Sequence, residues 1–124
     1  MSPLVLMLTI ISVCLSAGAQ VALKHGMTHP ATQDALASGT VGAVRAVASQ
    51  PFVLLGLAMY GVGAIVWLLV LARVEVSRAY PFVGLGFLLV MALGASMLGE
   101  SIGTARWVGT VLVAAGVLCV AMSA

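Results

Sequence analysis

The sequence predicts an all-α integral membrane protein, a single membrane domain of four spanning helices that assembles as a dimer. Composition is the first reason. The chain has 124 residues, 63% of them hydrophobic and 6% charged, with a mean hydropathy of +1.25. A water-soluble domain uses about 25% charged residues to cover its surface. Run length is the second. Apolar segments at about 3–26, 51–72, 79–98 and 104–123 each approach the ~20 residues that cross a bilayer as a helix. The third is where the charges fall. Lys24 closes the first run, Arg73, Glu75 and Arg78 separate the second from the third, and Glu100 and Arg106 separate the third from the fourth. Asp34 and Arg45 lie in the segment 27–50.

The first span opens with Pro3, whose missing N–H is not needed in a first helical turn. Ala17-Gly18-Ala19 resembles a leader-peptide cleavage site, but no basic residue precedes the apolar run, which continues to Leu23. The run therefore reads as a span. Ser12, Ser16, Gln20 and Lys24 recur every fourth residue and form one stripe along it. Serines can bond back to their own helix and Lys24 can snorkel. A glutamine and a lysine in register facing lipid would be costly, which assigns the stripe to a cavity or a partner helix. Cys14 and Cys119 lie in apolar runs without other metal-ligand types at suitable spacing, and read as small core residues.

Residues 27–50 are too short and too polar to span. They read as a weak interfacial helix or a loop, broken at His29-Pro30 and loosened by Gly39 and Gly42. His25 and His29 stand four apart, but two histidines without a third ligand do not make a zinc site. In the second span, Gly56, Tyr60, Gly63 and Trp67 share a face. The small residues admit a close helix crossing, and the aromatics either flank a groove or, for Trp67, join the interfacial belt.

The stretch from Glu75 to Gly86 is the organising point. A short charged turn enters the third span through Tyr80-Pro81, and Gly84 and Gly86 follow as an expected kink. In the fourth span, Gly109 and Gly116 are seven apart with Leu112 between them, the spacing of a packing seam and here the expected dimer contact. Four helices put both ends of the domain on one side with Arg73 and Arg78, and place Lys24, Arg45 and Arg106 opposite. Two against three sets no orientation, so an antiparallel pair is open, as are a parallel homodimer and a pair of related subunits. No basic cluster suggests nucleic acid. No nucleophile–base pair, phosphate loop or metal cluster suggests an enzyme, and no cofactor is indicated.

Three features carry a family resemblance: Gly18-Ala19-Gln20 with Lys24; Trp67 to Leu71 followed by the turn and Ala79-Tyr80-Pro81, with Leu85 and Phe87; and Gly99-Glu100 leading to Gly109 and the run Ala115 to Leu118. They cover every span but not 27–50. The chain resembles the four-helix, small multidrug resistance-like branch of the drug/metabolite transporter superfamily, and most nearly the subunits that flip 4-amino-4-deoxyarabinose-phosphoundecaprenol across the bacterial inner membrane. The resemblance implies a lipid-linked sugar as substrate and membrane lipid as surroundings. It also implies head-group binding at Ser16, Gln20, Lys24, Tyr60, Trp67, Arg78 and Tyr80. Multidrug exporters of this branch carry a glutamate in the first span, where this chain has Ser16, and a tryptophan in the third, where it has Val83. Proton-coupled export of cations therefore needs another acid, Glu75 or Glu100. A non-transporting partner subunit is the third reading.

Overall fold

The computed structural model describes residues 2–123. Three of the helical starts share one device, a side-chain cap followed by proline. Ser2 Oγ accepts the Val5 N–H at 3.2 Å and Pro3 opens α1 (Pro3–Met27). His29 Nδ1 accepts the Ala31 N–H at 3.2 Å and Pro30 opens α2 (Pro30–Ala37). Gln50 Oε1 accepts the Phe52 N–H at 3.1 Å and Pro51 opens α4 (Pro51–Leu71). Each cap satisfies an amide the helix cannot, and each proline supplies a preset φ where no donor is needed.

Between α2 and α4 lies α3 (Thr40–Ser49), set off by Gly39 at φ +128°, a conformation that side chains of L-residues rarely adopt. The segment 27–50 is thus neither one weak helix nor a loop but two short helices hinged at a glycine. His29-Pro30 ends α1 and at once restarts the chain as α2, and Gly42 is carried within α3. Val41 and Val44 of α3 are 83% and 64% exposed, while Ala43, Ala46 and Val47 are half-buried, so one apolar edge of α3 is left uncovered. That suits a helix lying in the membrane interface.

After α4 the chain turns through Ala72 to Glu75 into α5 (Val76–Ala79), a 3₁₀ turn (Tyr80–Phe82) and α6 (Val83–Met97). Helical structure therefore starts three residues before the expected Ala79. The irregularity sits at Pro81, which removes an amide donor from the helix ladder. The expected kink at Gly84 and Gly86 does not form, because α6 runs unbroken across both. Gly84 is instead a close-approach residue: a Cβ there would lie 2.6 Å from Val117 Cγ2 of α7 (Thr104–Met122). Between α6 and α7, Gly99 at φ +68° turns the chain, and the Glu100 N–H donates to Gly94 O at 3.1 Å.

The helices pack in the order α4, α1, α6, α7. α1 is central and antiparallel to α4, and the two meet along a row of glycines. Cβ atoms added at Gly26, Gly56 and Gly63 would lie 2.8 Å from Val53, 2.7 Å from Leu23 and 3.3 Å from Leu15. Ser12 Oγ donates to Gly63 O at 2.8 Å across this crossing. The core is accordingly made of small residues, with Val5, Val13, Ala17, Ala19, Ala22, Val53 and Val70 buried, while many leucines and isoleucines point outward. Apolar surface outward and small residues inward is the arrangement lipid favours. Four helices are long and apolar enough to cross a membrane, and the chain is a multi-pass membrane protein.

One expectation is corrected by burial. Cys14 and Cys119 are exposed on the outer surface, not in the core. In lipid an apolar residue gains no hydrophobic advantage by turning inward, so an apolar run does not say which face is buried. The Gly109–Gly116 face of α7 meets nothing within the chain, whereas α7 packs on α6 through Val117 and through Thr110, whose hydroxyl lies 3.1 Å from Met91 Sδ.

Candidate functional site

Three helices each turn one stripe toward a common groove of about 570 Å³. From α1 come Ser12, Val13, Ser16, Ala17 and Gln20; from α4 come Tyr60, Gly63, Ala64 and Trp67. The third stripe is Tyr80, Val83, Gly86, Phe87 and Val90, from the 3₁₀ turn and α6. All three follow the three-and-four spacing of one helix face. α1 forms the floor because its residues there are small. α4 and α6 form the walls, since each packs on α1 and neither packs extensively on the other.

The levels of the groove follow from the contacts between its walls. Val5, Val70 and Ala79 pack together at one end, with Trp67 against them, so Tyr80 and Trp67 stand at that end. Gly63 and Gly86 meet the floor at Ser12 and Val13. Ser16 lies one turn further and Gln20 another. The floor from Ser12 to Gln20 is about 12 Å long, and Ser16 falls within about 2 Å of the middle of α1. The groove therefore runs along the middle of α1, with the Trp67 and Tyr80 rings at one end and the Gln20 amide at the other.

The sequence-predicted residues divide into two sets. Ser16, Gln20, Tyr60, Trp67 and Tyr80 line the groove together. Trp67 is part of its wall, at the end of the groove where Val5 and Ala79 pack. Ser12 also reaches the groove, but its hydroxyl is committed to Gly63 O and serves the α1–α4 contact. Lys24 and Arg78 do not line it. Both are exposed, Lys24 one turn beyond Gln20 and Arg78 two residues before Tyr80. From the level of Val5, beside Ala79, to Lys24 is nineteen residues of α1, about 28 Å, close to the thickness of a bilayer's hydrocarbon. One cation thus stands past each end of the groove.

Neither candidate acid is at the site. Glu75 begins α5 and its backbone carbonyl accepts the Arg78 and Ala79 N–H groups. Glu100 belongs to the turn after α6, its carboxylate beside Gly94. His25 packs edge-on against Phe52, with ring centroids 4.3 Å apart, and His29 caps α2. Among the described residues no group of three or more His, Cys, Asp or Glu side chains comes together as a metal site. Sequence reasoning did not assign Val83, Phe87 and Val90 to the site. Counted from Tyr80 they fall at spacings of three, four and three, a signal present in the sequence but hidden because the third span is apolar on every face.

The polar lining is hydroxyl, amide, phenol and indole N–H, set among aromatic faces and without a carboxylate. This can hydrogen-bond a neutral polar group and stack on its apolar face. Its lining holds no Asp, Glu, His, Lys or Arg side chain.

Comparison with curated proteins finds relatives named as flippase subunits. The chain is 41% identical over 63 residues to a protein of Pseudomonas savastanoi pv. phaseolicola named "Probable 4-amino-4-deoxy-L-arabinose-phosphoundecaprenol flippase subunit ArnE", covering 51% of this chain and 55% of the relative. It is similar to flippase subunits. Proteins with the same name in Pseudomonas fluorescens and Pseudomonas aeruginosa are 42% identical over 64 residues and 37% identical over 75. These matches cover 52% and 60% of this chain, and 56% and 65% of the relatives. The chain thus spans between about half and two thirds of the length of the curated relatives it matches. No family model matches, and no solved structure does. The resemblance to ArnE subunits expected from the sequence therefore holds over the matched stretches.

Proposed function

We propose that this chain is a subunit of a flippase that moves polyprenyl-phosphate-linked sugars across the bacterial inner membrane. One observation carries the reading: an uncharged groove of hydroxyls, an amide and aromatic rings lies at mid-membrane depth, with a basic residue past each end. The sugar would travel the groove, and the phosphate would be taken up and released by Lys24 and Arg78. The polyprenyl tail would stay in the bilayer, which the groove's open side permits. The relatives' name describes the same class of substrate for those proteins. The alternative is a proton-coupled exporter of cations. It needs an acid in the transport path, and Glu75 and Glu100 both lie off the groove.

The test is to reconstitute the purified chain in vesicles and follow a short-chain polyprenyl-phosphate sugar from one leaflet to the other, beside an assay of drug-driven proton flux. Sugar-lipid movement without proton flux is the expected result, and the reverse would return the exporter reading.

The third and fourth spans bury only 6% of their most apolar stretches within the chain, which leaves much of their surface for a partner. A second subunit, identical or related, would pack on that surface through the free Gly109–Gly116 face. Replacing Gly116 by leucine is expected to shift the chain toward monomer on crosslinking in membranes, because bulk at a close crossing separates the backbones. An unchanged crosslinked fraction would exclude α7 as the seam. Failure of the chain to transport alone, with transport restored by a related subunit, would assign it the role of half of a heteromer.

A further inference from the structure

α3 carries a cation and an apolar edge that the groove does not use. Val41, Val44, Arg45 and Ala48 follow the i, i+3, i+4, i+7 spacing of one helix face, and all four are exposed. Thr40 and Ser49 flank them and complete one open strip. The half-buried Ala43, Ala46 and Val47 lie on the opposite face. The outward side of α3 is therefore apolar, where a helix facing water would be polar. Arg45 is the single charge on α3. Chain connection fixes where the strip lies. Gln50 ends α3 and also caps α4, so no linker separates α3 from a spanning helix. α2 likewise starts directly after the Thr28-His29 turn that ends α1. α3 is thus held at the membrane face where α1 ends and α4 begins, the face of Lys24.

We propose that α3 is a docking helix for anionic phospholipid, with Val41, Val44 and Ala48 among the acyl chains and Arg45 on the lipid phosphate. Size argues against a protein on this strip. Ten helical residues span about 15 Å, far short of the ~800 Å² that each partner gives to a specific interface. Lipid asks for no such area. The valines enter the acyl region, the arginine stem lies along them, and the guanidinium reaches the phosphate layer. An anionic head group adds an attraction for Arg45 that a zwitterionic one lacks. The occupant is bulk phospholipid, which outnumbers any transported lipid at that surface.

The experiment places a fluorophore on Ala48→Cys, one turn from Arg45, in a full chain with Cys14→Ala and Cys119→Ala, since both native cysteines are exposed. The labelled chain is reconstituted in vesicles of phosphatidylcholine and phosphatidylglycerol. Quenching is read with iodide from water and with each lipid brominated in its acyl chains. Bromolipid is expected to quench and iodide is not. Brominated phosphatidylglycerol is expected to act with about fivefold higher affinity than brominated phosphatidylcholine, the preference that one cation at such a surface gives. Arg45→Gln should abolish that preference and Arg45→Lys should keep it. Quenching by iodide alone would put the strip in water, and shielding from both quenchers would put a second copy on it. Either overturns the proposal. So does equal affinity for the two lipids, or a preference that survives Arg45→Gln. Displacement of brominated phosphatidylglycerol by polyprenyl phosphate at stoichiometric amounts would assign the strip to a transported lipid and overturn it too. None of these readouts depends on whether the chain flips a lipid.

Discussion

Gly56→Leu is expected to leave little correctly assembled protein, whereas Gly61→Leu on the same helix is expected to be tolerated. A Cβ on Gly56 would lie 2.7 Å from Leu23 Cγ and 3.0 Å from Ala19 O. Leu23 could swing aside, but Ala19 O is backbone of α1 and cannot yield without moving the helix. A Cβ on Gly61 meets nothing within 4 Å. Overpacking a tight site costs about 1–3 kcal/mol even in soluble cores that can relax. In lipid the loss is felt more directly, because close packing and interhelical hydrogen bonds hold α1 to α4 in place of a hydrophobic drive. Gly56 lies between Gly26 and Gly63 along the crossing, so bulk there pries apart the floor and one wall of the groove together. The measurement is the fraction of each variant that stays monodisperse after heating in detergent, at expression matched to the parent. Equal thermal resistance of Gly56→Leu and the parent would show that the glycine row does not hold the pair.

How much of this was legible in the sequence depended on whether a residue broke the local background. Ser16 and Gln20 stood out because they are polar inside an apolar run, and the groove contains both. Tyr60 and Trp67 stood out because glycines share their face. Phe87 did not, since an aromatic among leucines and valines marks no side of a helix. Glycines were legible as special but not as to why. Gly84 was read as a kink and is a contact with Val117, while the irregularity falls at Pro81. The outward placement of Cys14 and Cys119 had no signal at all, because core and lipid-facing surface are equally apolar. The restart of the chain as α2 was readable in hindsight from the repeated cap-and-proline pattern at Ser2-Pro3, His29-Pro30 and Gln50-Pro51.

Lys24→Ala and Arg78→Ala are each expected to lower flipping of a polyprenyl-phosphate sugar by about tenfold or more, and together by about a hundredfold or more. The size follows from the bond that each removes. A charge-assisted hydrogen bond to phosphate is worth about 1.5–3 kcal/mol against about 1 for a neutral one. The compounding follows from distance. The two cations stand beyond opposite ends of the groove, about 28 Å apart along α1, far past the ~7–10 Å within which substitutions couple. Each would therefore act on its own side, Arg78 near Tyr80 and Lys24 near Gln20, as the phosphate is captured at one face and released at the other. Exposure limits neither role, because a head group arrives from the interface where both side chains already lie. Lys24→Arg keeps the charge and should retain most transport. Ser16→Ala removes one neutral hydrogen bond from the floor and should cost much less than either alanine at a cation. Ser16→Glu should not confer drug-driven proton flux, since a single acid does not rebuild an exporter's site. The rates are measured in vesicles with matched protein content. Full transport by both single alanine variants would remove the phosphate relay and make Glu75 and Glu100 the next residues to change. A double variant no worse than either single one would mean that only one face limits the rate.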